Sequence, residues 1–446
     1  MFKRILIANR GEIALRILRA CHELGVEAVC VYSKADANAP YLRLADRAIC
    51  IGEGASKDSY LNISRLISAA EIADVDAIHP GYGFLSERAD FSAICRDCKI
   101  AFVGPSPEAM GKLGDKVECK RTARAAKVPV FPGSEGAIED EEEAVRVAEE
   151  IGYPVIIKAS AGGGGRGMRV CRNEATLRSN IKAAQQEAQA AFGNGAVFIE
   201  KFLEHARHVE IQTLGDKHGH AVHLFERDCS VQRRHQKLVE ESPAPGVDRK
   251  KIAAVGDAAA RLIRSADYAG AATVEFLMDE KQNFYMLEVN TRVQVEHPVT
   301  ELVTGVDIVK LSIQIAAGEA LPFRQKDVEL RGHAIECRIN AEDPARGFMP
   351  CAGTIETWET PGGPGVRLDT HVVPGYRVPP NYDSMVGKLI VHAPTRRECI
   401  DRVSRALREF RVGPIKTTIP LHQRLMENSD FAAGGVDIHF LERLLK

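Results

Sequence analysis

The first third of the chain alternates short apolar runs with amphipathic stretches. Residues 11–24 repeat apolar side chains at helical spacing and end before Gly25. Four apolar runs have the length of buried strands: residues 3–8, 28–32, 77–80 and 101–104. Alternation of strands and helices predicts a parallel sheet covered by helices, so we expect an α/β domain here.

The rest of the chain has a different pattern. Two strand-like runs flank a glycine-rich segment, at residues 154–159 and 168–171. Residues 273–278 and 284–289 indicate an antiparallel hairpin. Other predicted elements are a strand at 332–339, a last helix near Leu441, and the first turn of a helix in the acidic run 139–143. At 446 residues the chain predicts two or three domains, of α/β and α+β type.

Composition and charge narrow the class of protein. The formal net charge of −2 argues against a general nucleic-acid binder, which usually carries a strong basic excess. No apolar run approaches the roughly 18 residues that span a bilayer, and Met1 leads almost directly into the first strand. The eleven cysteines form no metal-binding framework. We therefore expect a cytoplasmic protein with reduced cysteines that binds neither nucleic acid nor membrane.

Residues 161–167 contain five glycines in seven positions. Strands on both sides make this segment a hairpin tip, whereas a Walker loop opens a helix. Without Cβ atoms such a loop can bring backbone N–H groups to phosphate oxygens and can move as a lid, and Lys158 would add a cation. The alternative is an ordinary flexible hairpin.

Two acids on the predicted hairpin suggest a metal site. If Asp279 pairs with Phe284, then Glu275 lies opposite Glu288 on one face. Like charges so placed repel unless a cation neutralises them, and carboxylates beside phosphates suit Mg²⁺ or Mn²⁺. Asn290 lies on the same face and adds a neutral oxygen. The alternative is that both acids simply face water.

Polar residues continue at alternate positions beyond Glu288. They are Asn290, Arg292, Gln294 and Glu296. Fully extended, this polar series would span roughly 27 Å, too far for one small-molecule site, so we expect the chain to turn after Asn290. An ordinary half-exposed strand alternates too, and Glu296 alone could be a surface acid. Glu296 becomes a stronger candidate for a catalytic base if Arg292 and Lys237 lie beside it.

Nine motifs follow one another along the chain, at residues 7–14, 79–87, 114–116, 161–167, 207–210, 226–230, 232–237, 288–298 and 336–340. With these motifs, the chain resembles the biotin carboxylase branch of the ATP-grasp superfamily over essentially its whole length. The glycine run is one residue shorter than in some members, with Ala161 at its edge.

The resemblance implies three domains. Residues 1–113 would form a Rossmann-like α/β domain, residues 114–330 an ATP-grasp domain, and residues 331–446 a mixed α+β domain. The ATP-grasp domain would carry a mobile glycine-rich lid at about 131–203.

The resemblance also implies roles for individual residues. Residues expected to bind ATP are Lys116, Lys158, Gly162, Gly163, Gly164, Gly165, Arg166, Gly167, Glu200, Lys201, Leu203, His208, Gln232, His235, Glu275 and Glu288. Glu275 and Glu288, with Asn290, would hold two Mg²⁺ or Mn²⁺ ions. The residues expected to contact bicarbonate and biotin are Lys237, Arg292, Gln294, Val295, Arg338 and Tyr82.

The implied reaction carboxylates biotin in two stages. Glu296 would deprotonate bicarbonate as it attacks the γ-phosphoryl group, giving carboxyphosphate and ADP. Carboxyphosphate would release CO₂ and phosphate, the phosphate would deprotonate biotin, and Arg338 would stabilise the enolate that attacks CO₂.

A motif that is missing from this sequence predicts a partner protein. The family's biotin attachment motif contains Met-Lys-Met, which does not occur here, so biotin would sit on a separate carrier protein. A separate carboxyltransferase and a homodimer are also expected. The final acceptor stays open among acetyl-CoA, propionyl-CoA, pyruvate and 2-oxoglutarate. Alternatives for the chain itself are another ATP-grasp ligase, such as a carbamoyl-phosphate-forming or purine-pathway enzyme, or a catalytically silent nucleotide-binding or scaffold subunit.

Overall fold

A computed structural model of the chain describes residues 1–134, 136–138, 140–159, 168–192 and 195–446, without the side chains of 116, 117, 191 and 192. The chain folds into two units. Residues 1–128, 207–277 and 288–446 form the larger unit, and residues 129–206 and 278–287 form the smaller. The three domain boundaries expected from the sequence stay predictions.

A five-stranded parallel sheet, in the order β3-β2-β1-β4-β5, opens the larger unit. Both faces of this sheet are buried: Leu6 and Ile78 pack on one side, and Ile5 and Ile7 on the other. The predicted α/β domain is confirmed. Its elements are β1 (Arg4–Ile7), α1 (Gly11–Glu23), β2 (Glu27–Ser33), β3 (Arg47–Gly52), α2 (Ile63–Ala73), β4 (Ala77–His79), α3 (Ala89–Asp97), β5 (Ala101–Phe102), α4 (Pro107–Gly114) and α5 (Lys116–Ala125).

The smaller unit has its own three-stranded sheet, in the order β7-β6-β8, and its own apolar core. Asp140 caps its first helix by accepting a hydrogen bond from the Glu143 N–H, which confirms the helix start predicted from the acidic run. The glycine segment 161–167 lies outside the described residues. The elements are α6 (Glu141–Ile151), β6 (Val155–Ala159), β7 (Arg169–Cys171), α7 (Glu174–Phe192) and β8 (Val197–Lys201).

An eight-stranded sheet dominates the rest of the chain, in the order β13-β12-β9-β10-β11-β14-β21-β19. Its strands are β9 (Arg207–Gly215), β10 (Ala221–Arg233), β11 (Gln236–Ser242), β12 (Gly270–Met278), β13 (Phe284–Asn290), β14 (His333–Asn340), β19 (Val366–Asp369) and β21 (Met385–Ala393). The strand pairs β9–β10, β10–β11, β11–β14, β14–β21 and β21–β19 are antiparallel. Strands of the last third therefore continue the sheet that the middle third begins.

Helices and short strands complete the described fold. The helices are α8 (Arg249–Ser265), α9 (His297–Thr304), α10 (Ile308–Ala316), α11 (Arg396–Glu409), α12 (Ile419–Met426), α13 (Ser429–Ala433) and α14 (Phe440–Leu444). The strand pairs are β15 (Glu342–Asp343) with β16 (Met349–Pro350), β17 (Gly353–Thr354) with β20 (Arg377–Val378), and β18 (Thr357–Glu359) with β22 (Arg411–Gly413). In the described part of the chain, no helix has the length and apolarity needed to cross a membrane.

The predicted hairpin and the turn after it position the site. Strands β12 and β13 are neighbours in the sheet. Strand β13 ends at Asn290 and helix α9 begins at His297, so the predicted turn after Asn290 is confirmed. Residues 291–296 form the connection and fold back toward the sheet. The opposition of Glu275 and Glu288 stays a prediction.

Candidate active site

The Lys237 ammonium group lies among three buried carboxylates. It donates to Glu210 at 2.6 Å, to Glu296 at 2.7 Å and to Glu275 at 2.8 Å. The three acids come from β9, β12 and the residue before α9, so tertiary folding brings them to one cation. All three ammonium hydrogens are used, and the side chain is 11% exposed.

Electrostatic interactions keep the side chains of this cluster ionised. Burial alone would lower the pKa of Lys237, but Glu210, Glu296 and Glu275 outweigh burial and raise it well above its usual value. Burial would raise the pKa of Glu296, yet Lys237, Arg338 and Arg227 lower it overall. Glu296 is therefore an ionised carboxylate at neutral pH and can accept a proton.

Arg338 on β14 joins Glu296 from the other side. Its Nη2 lies 3.0 Å from Glu296 Oε2, and its Nε donates to Glu240 Oε1 at 2.6 Å. Glu296 thus lies between the cations of Lys237 and Arg338. The structure brings together the predicted base, the predicted bicarbonate lysine and the predicted enolate-stabilising arginine.

The remaining predicted substrate residues surround this centre. Arg292 donates to Asn290 Oδ1 and, through Nε, to Glu87 Oε2, both at 2.9 Å. Gln294 donates to Glu275 Oε1 at 2.8 Å. The Val295 carbonyl accepts from the buried Lys388 at 3.0 Å, and Tyr82 donates to Glu12, which is also an ion-pair partner of Lys388.

The side chains of the predicted metal ligands carry oxygen atoms that can coordinate a cation. Asn290 Nδ2 lies 2.9 Å from Glu275 Oε1, and Glu288 is exposed on the same strand as Asn290. Burial raises the pKa of Glu275, but Lys237 and His208 lower it well below its usual value, so it is ionised. An ionised carboxylate with an amide oxygen and a second acid fits a hard divalent cation. Glu275, Glu288 and Asn290 therefore stay the predicted metal ligands.

The predicted ATP residues of the larger unit differ in their surroundings. His208 Nε2 lies 3.0 Å from Glu275 Oε2. Gln232 is buried on β10 and is the register partner of Lys237 on β11. His235 lies at the exposed turn between these strands, with φ of 65°. His208 and Gln232 therefore adjoin the carboxylate cluster.

The smaller unit holds the other described ATP candidates. Lys158 Nζ forms an ion pair with Glu200 Oε2 at 2.5 Å. Lys201 instead donates to the carbonyls of Gly152 and Tyr153, at 2.8 and 3.0 Å. Leu203 is half-buried just after β8. The Lys116 side chain and residues 162–167, including Arg166, lie outside the described residues.

Family models cover nearly the whole chain. The biotin carboxylase N-terminal domain matches residues 1–110 and the biotin carboxylase C-terminal domain matches residues 336–443. Between them, the ATP-binding domain of the carbamoyl-phosphate synthase L chain matches residues 115–324. Biotin carboxylase 1 of Bacillus subtilis is 55% identical over 443 residues, 99% of this chain and 98% of the relative. The chain belongs to the biotin carboxylase family.

Other relatives agree. A biotin carboxylase of Nostoc sp. is 55% identical over the full length of both chains. The crystal structure of a biotin carboxylase–beta-gamma-ATP complex from Campylobacter jejuni matches with a TM-score of 0.92 and 50% identity, over 99% of each chain. The biotin carboxylase domain dimer of Hydrogenobacter thermophilus 2-oxoglutarate carboxylase, with MgADP, ADP and bicarbonate, matches with a TM-score of 0.91 and 48% identity, over 99% of this chain and 98% of that one.

These matches confirm three predictions: the family, the fold class and the activity of the enzyme, ATP-dependent carboxylation of biotin. The alternative of a different ATP-grasp ligase is wrong, because both domains that flank the ATP-binding domain match biotin carboxylase.

Sequence reasoning assigned no role to several residues of this site. Glu210 and Glu240 are fully buried acids that hold Lys237 and Arg338, and the buried Arg227 donates to Glu210 and Gln294. One signal was available. Glu210 follows His208 by two positions on a strand, and two residues separated in this way share a face.

Proposed function

We propose that this family member carboxylates biotin on a separate carrier protein, as the first half-reaction of a multi-subunit biotin-dependent carboxylase. The observation that carries the proposal is Glu296, a buried, ionised carboxylate between Lys237 and Arg338. A base for bicarbonate and a cation for the biotin enolate thus lie within one hydrogen-bonded group.

The residues suggest how the first stage proceeds. Bicarbonate, a small anion, would take the place of one carboxylate partner of Lys237 and lie within reach of Arg292. Its oxygen attacks the γ-phosphorus of ATP, the bond to ADP breaks, and Glu296 takes the bicarbonate proton, which yields carboxyphosphate. Mg²⁺ or Mn²⁺ held by Glu275, Glu288 and Asn290 would offset phosphate charge.

The second stage uses Arg338. Carboxyphosphate separates into CO₂ and phosphate, and the phosphate removes the proton from N1′ of biotin. The biotin enolate then attacks CO₂ through N1′ to give carboxybiotin. Arg338 stabilises the developing negative charge on the enolate oxygen, and burial strengthens that interaction because water competes less.

The roles of the remaining site residues are part of the proposal. Lys116, Lys158, residues 162–167, Glu200, Lys201, Leu203, His208, Gln232 and His235 would bind ATP, and Gln294, Val295 and Tyr82 would line the bicarbonate and biotin pocket. Support comes from His208, whose Nε2 lies 3.0 Å from Glu275 Oε2, and from Gln232, which is the register partner of Lys237.

We also propose the assembly around the chain. A biotin carboxyl carrier protein, a carboxyltransferase subunit and a second copy of this chain would be its partners, in the cytoplasm. One solved relative is described as the biotin carboxylase subunit of pyruvate carboxylase, and another as a domain dimer. All eleven cysteines are free, which agrees with a reducing compartment.

ADP release by the isolated chain tests the proposal. The chain is supplied with Mg²⁺ and ATP, with and without bicarbonate and free biotin. We expect turnover to require bicarbonate and to rise with biotin. Turnover without any response to biotin would contradict the proposed half-reaction. Binding of ATP without turnover, even with a carrier protein added, would instead support a silent subunit.

A further inference from the structure

Two buried acids lie side by side beneath Arg338. Glu240 on β11 and Glu336 on β14 are register partners in an antiparallel pair, and neither side chain is exposed. Side chains of register partners point to the same face of a sheet. Two ionised carboxylates in this position would repel each other in a region from which water is excluded.

Their hydrogen bonding differs. Glu240 Oε1 accepts from Arg338 Nε at 2.6 Å and forms an ion pair with Arg338 Nη2, while Glu240 Oε2 has no hydrogen-bond partner among the described residues. Within the described residues, neither carboxylate oxygen of Glu336 has a hydrogen-bond partner. A buried carboxylate without a partner is costly when ionised and much less costly when protonated. The geometry therefore distinguishes an ionised Glu240 from a neutral Glu336.

The groups around the pair favour the same assignment. Lys388 attracts Glu336, but its ammonium group is hydrogen-bonded to the Val295 carbonyl at 3.0 Å and paired with Glu12 at 3.1 Å. The titratable or charged groups of the described residues that act on the two acids are Arg338, Lys388, Lys237, Glu296, Tyr82, Cys229 and Cys337.

Burial and neighbouring acids oppose ionisation. Burial raises the pKa of Glu336 well above its usual value; Lys388 opposes this, and Glu240 adds to it. Burial raises the pKa of Glu240 to about 7, although Arg338 opposes the shift. Together these shifts keep at least one proton on the pair near neutral pH, and the carboxyl group without a partner is the one that holds it.

We propose that Glu336 is protonated in the working enzyme and that Glu240 is the carboxylate that positions the Arg338 guanidinium. Glu240 acts through Arg338 and is a positioning residue. The proposal deepens the proposed function, because it rests on the assignment of Arg338 to the biotin enolate. Planar guanidinium groups gain orientation from a carboxylate that contacts two of their nitrogens.

Replacing each acid by its neutral amide distinguishes the role of Glu240 from that of Glu336. Glu336→Gln resembles a protonated carboxyl group, so we expect the KM for free biotin to stay within about twofold of wild type. Glu240→Gln removes the charge that holds Arg338, so we expect the KM for biotin to rise about tenfold or more. The KM for ATP should not change in either variant, and Glu240→Asp should recover part of the loss.

A pH profile distinguishes positioning from general damage. In wild type, kcat/KM for biotin should fall as the pH drops through about 7, because protonated Glu240 no longer holds Arg338. Glu240→Gln should lack this acidic decline. Loss of folding would instead lower the apparent kcat at every pH together with the melting temperature, and it would leave the KM for biotin of the remaining folded enzyme unchanged.

Infrared spectroscopy tests the proton directly, even if Glu240→Gln fails to fold. The wild-type minus Glu336→Gln difference spectrum at neutral pH should contain the C=O band of a protonated carboxylic acid. A carboxylate band in its place would overturn the proposal, as would a Glu336→Gln variant that impairs biotin use as strongly as Glu240→Gln. An unchanged KM for biotin in Glu240→Gln would do the same. If wild type shows no response to biotin, the proposed function fails, while the infrared result still decides the state of Glu336.

Discussion

Replacing Lys237 by methionine removes one cation from between three acids and keeps most of the side-chain volume. Glu210, Glu275 and Glu296 each lose a hydrogen bond of 2.6–2.8 Å to a charged donor. Breaking a buried ion pair by removing one partner costs about 3–5 kcal/mol. The three contacts do not add, because the freed carboxylates can take up protons. We therefore expect Lys237→Met to lower the free energy of unfolding by about 3–5 kcal/mol at neutral pH.

Urea denaturation followed by fluorescence measures this loss, and the matched control is Lys34→Met. Lys34 pairs with Glu53 at the surface, where both side chains are more than 60% exposed, so its loss should cost at most about 1 kcal/mol. The loss in Lys237→Met should shrink in acid: Glu296 has a lowered pKa, so the stability it contributes is lost as the pH falls through that pKa. Bicarbonate-dependent ADP release should weaken as well. If Lys237→Met were as stable as the control at neutral pH with unchanged use of bicarbonate, the reasoning would be refuted.

Three further predictions concern catalysis, a second buried ion pair and the core. Glu296→Gln should keep ATP affinity by calorimetry but lose about 10²-fold or more of bicarbonate-dependent ADP release; wild-type rates would remove Glu296 from the mechanism. Arg396→Met leaves the buried Glu241 carboxylate without its bidentate partner and should cost about 3–5 kcal/mol in urea denaturation, whereas the exposed Arg397→Met should cost at most about 1 kcal/mol. Equal losses in these two variants would contradict that account. Leu389→Ala, at a fully buried position of the C-terminal core, should lower the free energy of unfolding by about 2–5 kcal/mol in the same assay. A loss below about 1 kcal/mol would mean that neighbouring side chains fill the space that Leu389 leaves.

Local pattern was enough to predict much of the fold. The parallel sheet follows from apolar runs separated by one amphipathic helix, because such runs must be buried on both faces. The break after Asn290 follows from chain geometry, because an extended continuation to Glu296 cannot serve one small site. The continuation of the large sheet by β14, β21 and β19 has no local signal, since strand order depends on long-range pairing.

The site was only partly predictable for a similar reason. Glu210 and Arg227 are register partners, yet the pairing of β9 with β10 shifts between His223 and Glu226. Such an irregularity breaks the two-residue alternation that would otherwise assign faces by counting from the turn. The acids in the apolar runs of β11 and β14, Glu240 and Glu336, were visible in the sequence. Their opposition depends on pairing between strands nearly a hundred residues apart.

In the proposed reaction, the charge state of Glu336 determines how much of the positive charge of Arg338 is available to the biotin enolate. In the structure Arg338 is shared by Glu240 and Glu296. In the proposed reaction Glu296 becomes neutral when it takes the bicarbonate proton, so its hold on Arg338 Nη2 weakens. Glu240 then keeps the guanidinium oriented while its positive charge is available to the enolate oxygen. An ionised Glu336 would restore the lost negative charge and cancel this gain, because charges act strongly on each other where water is excluded. A neutral Glu336 therefore allows proton uptake by Glu296 in the first stage to prepare Arg338 for the second.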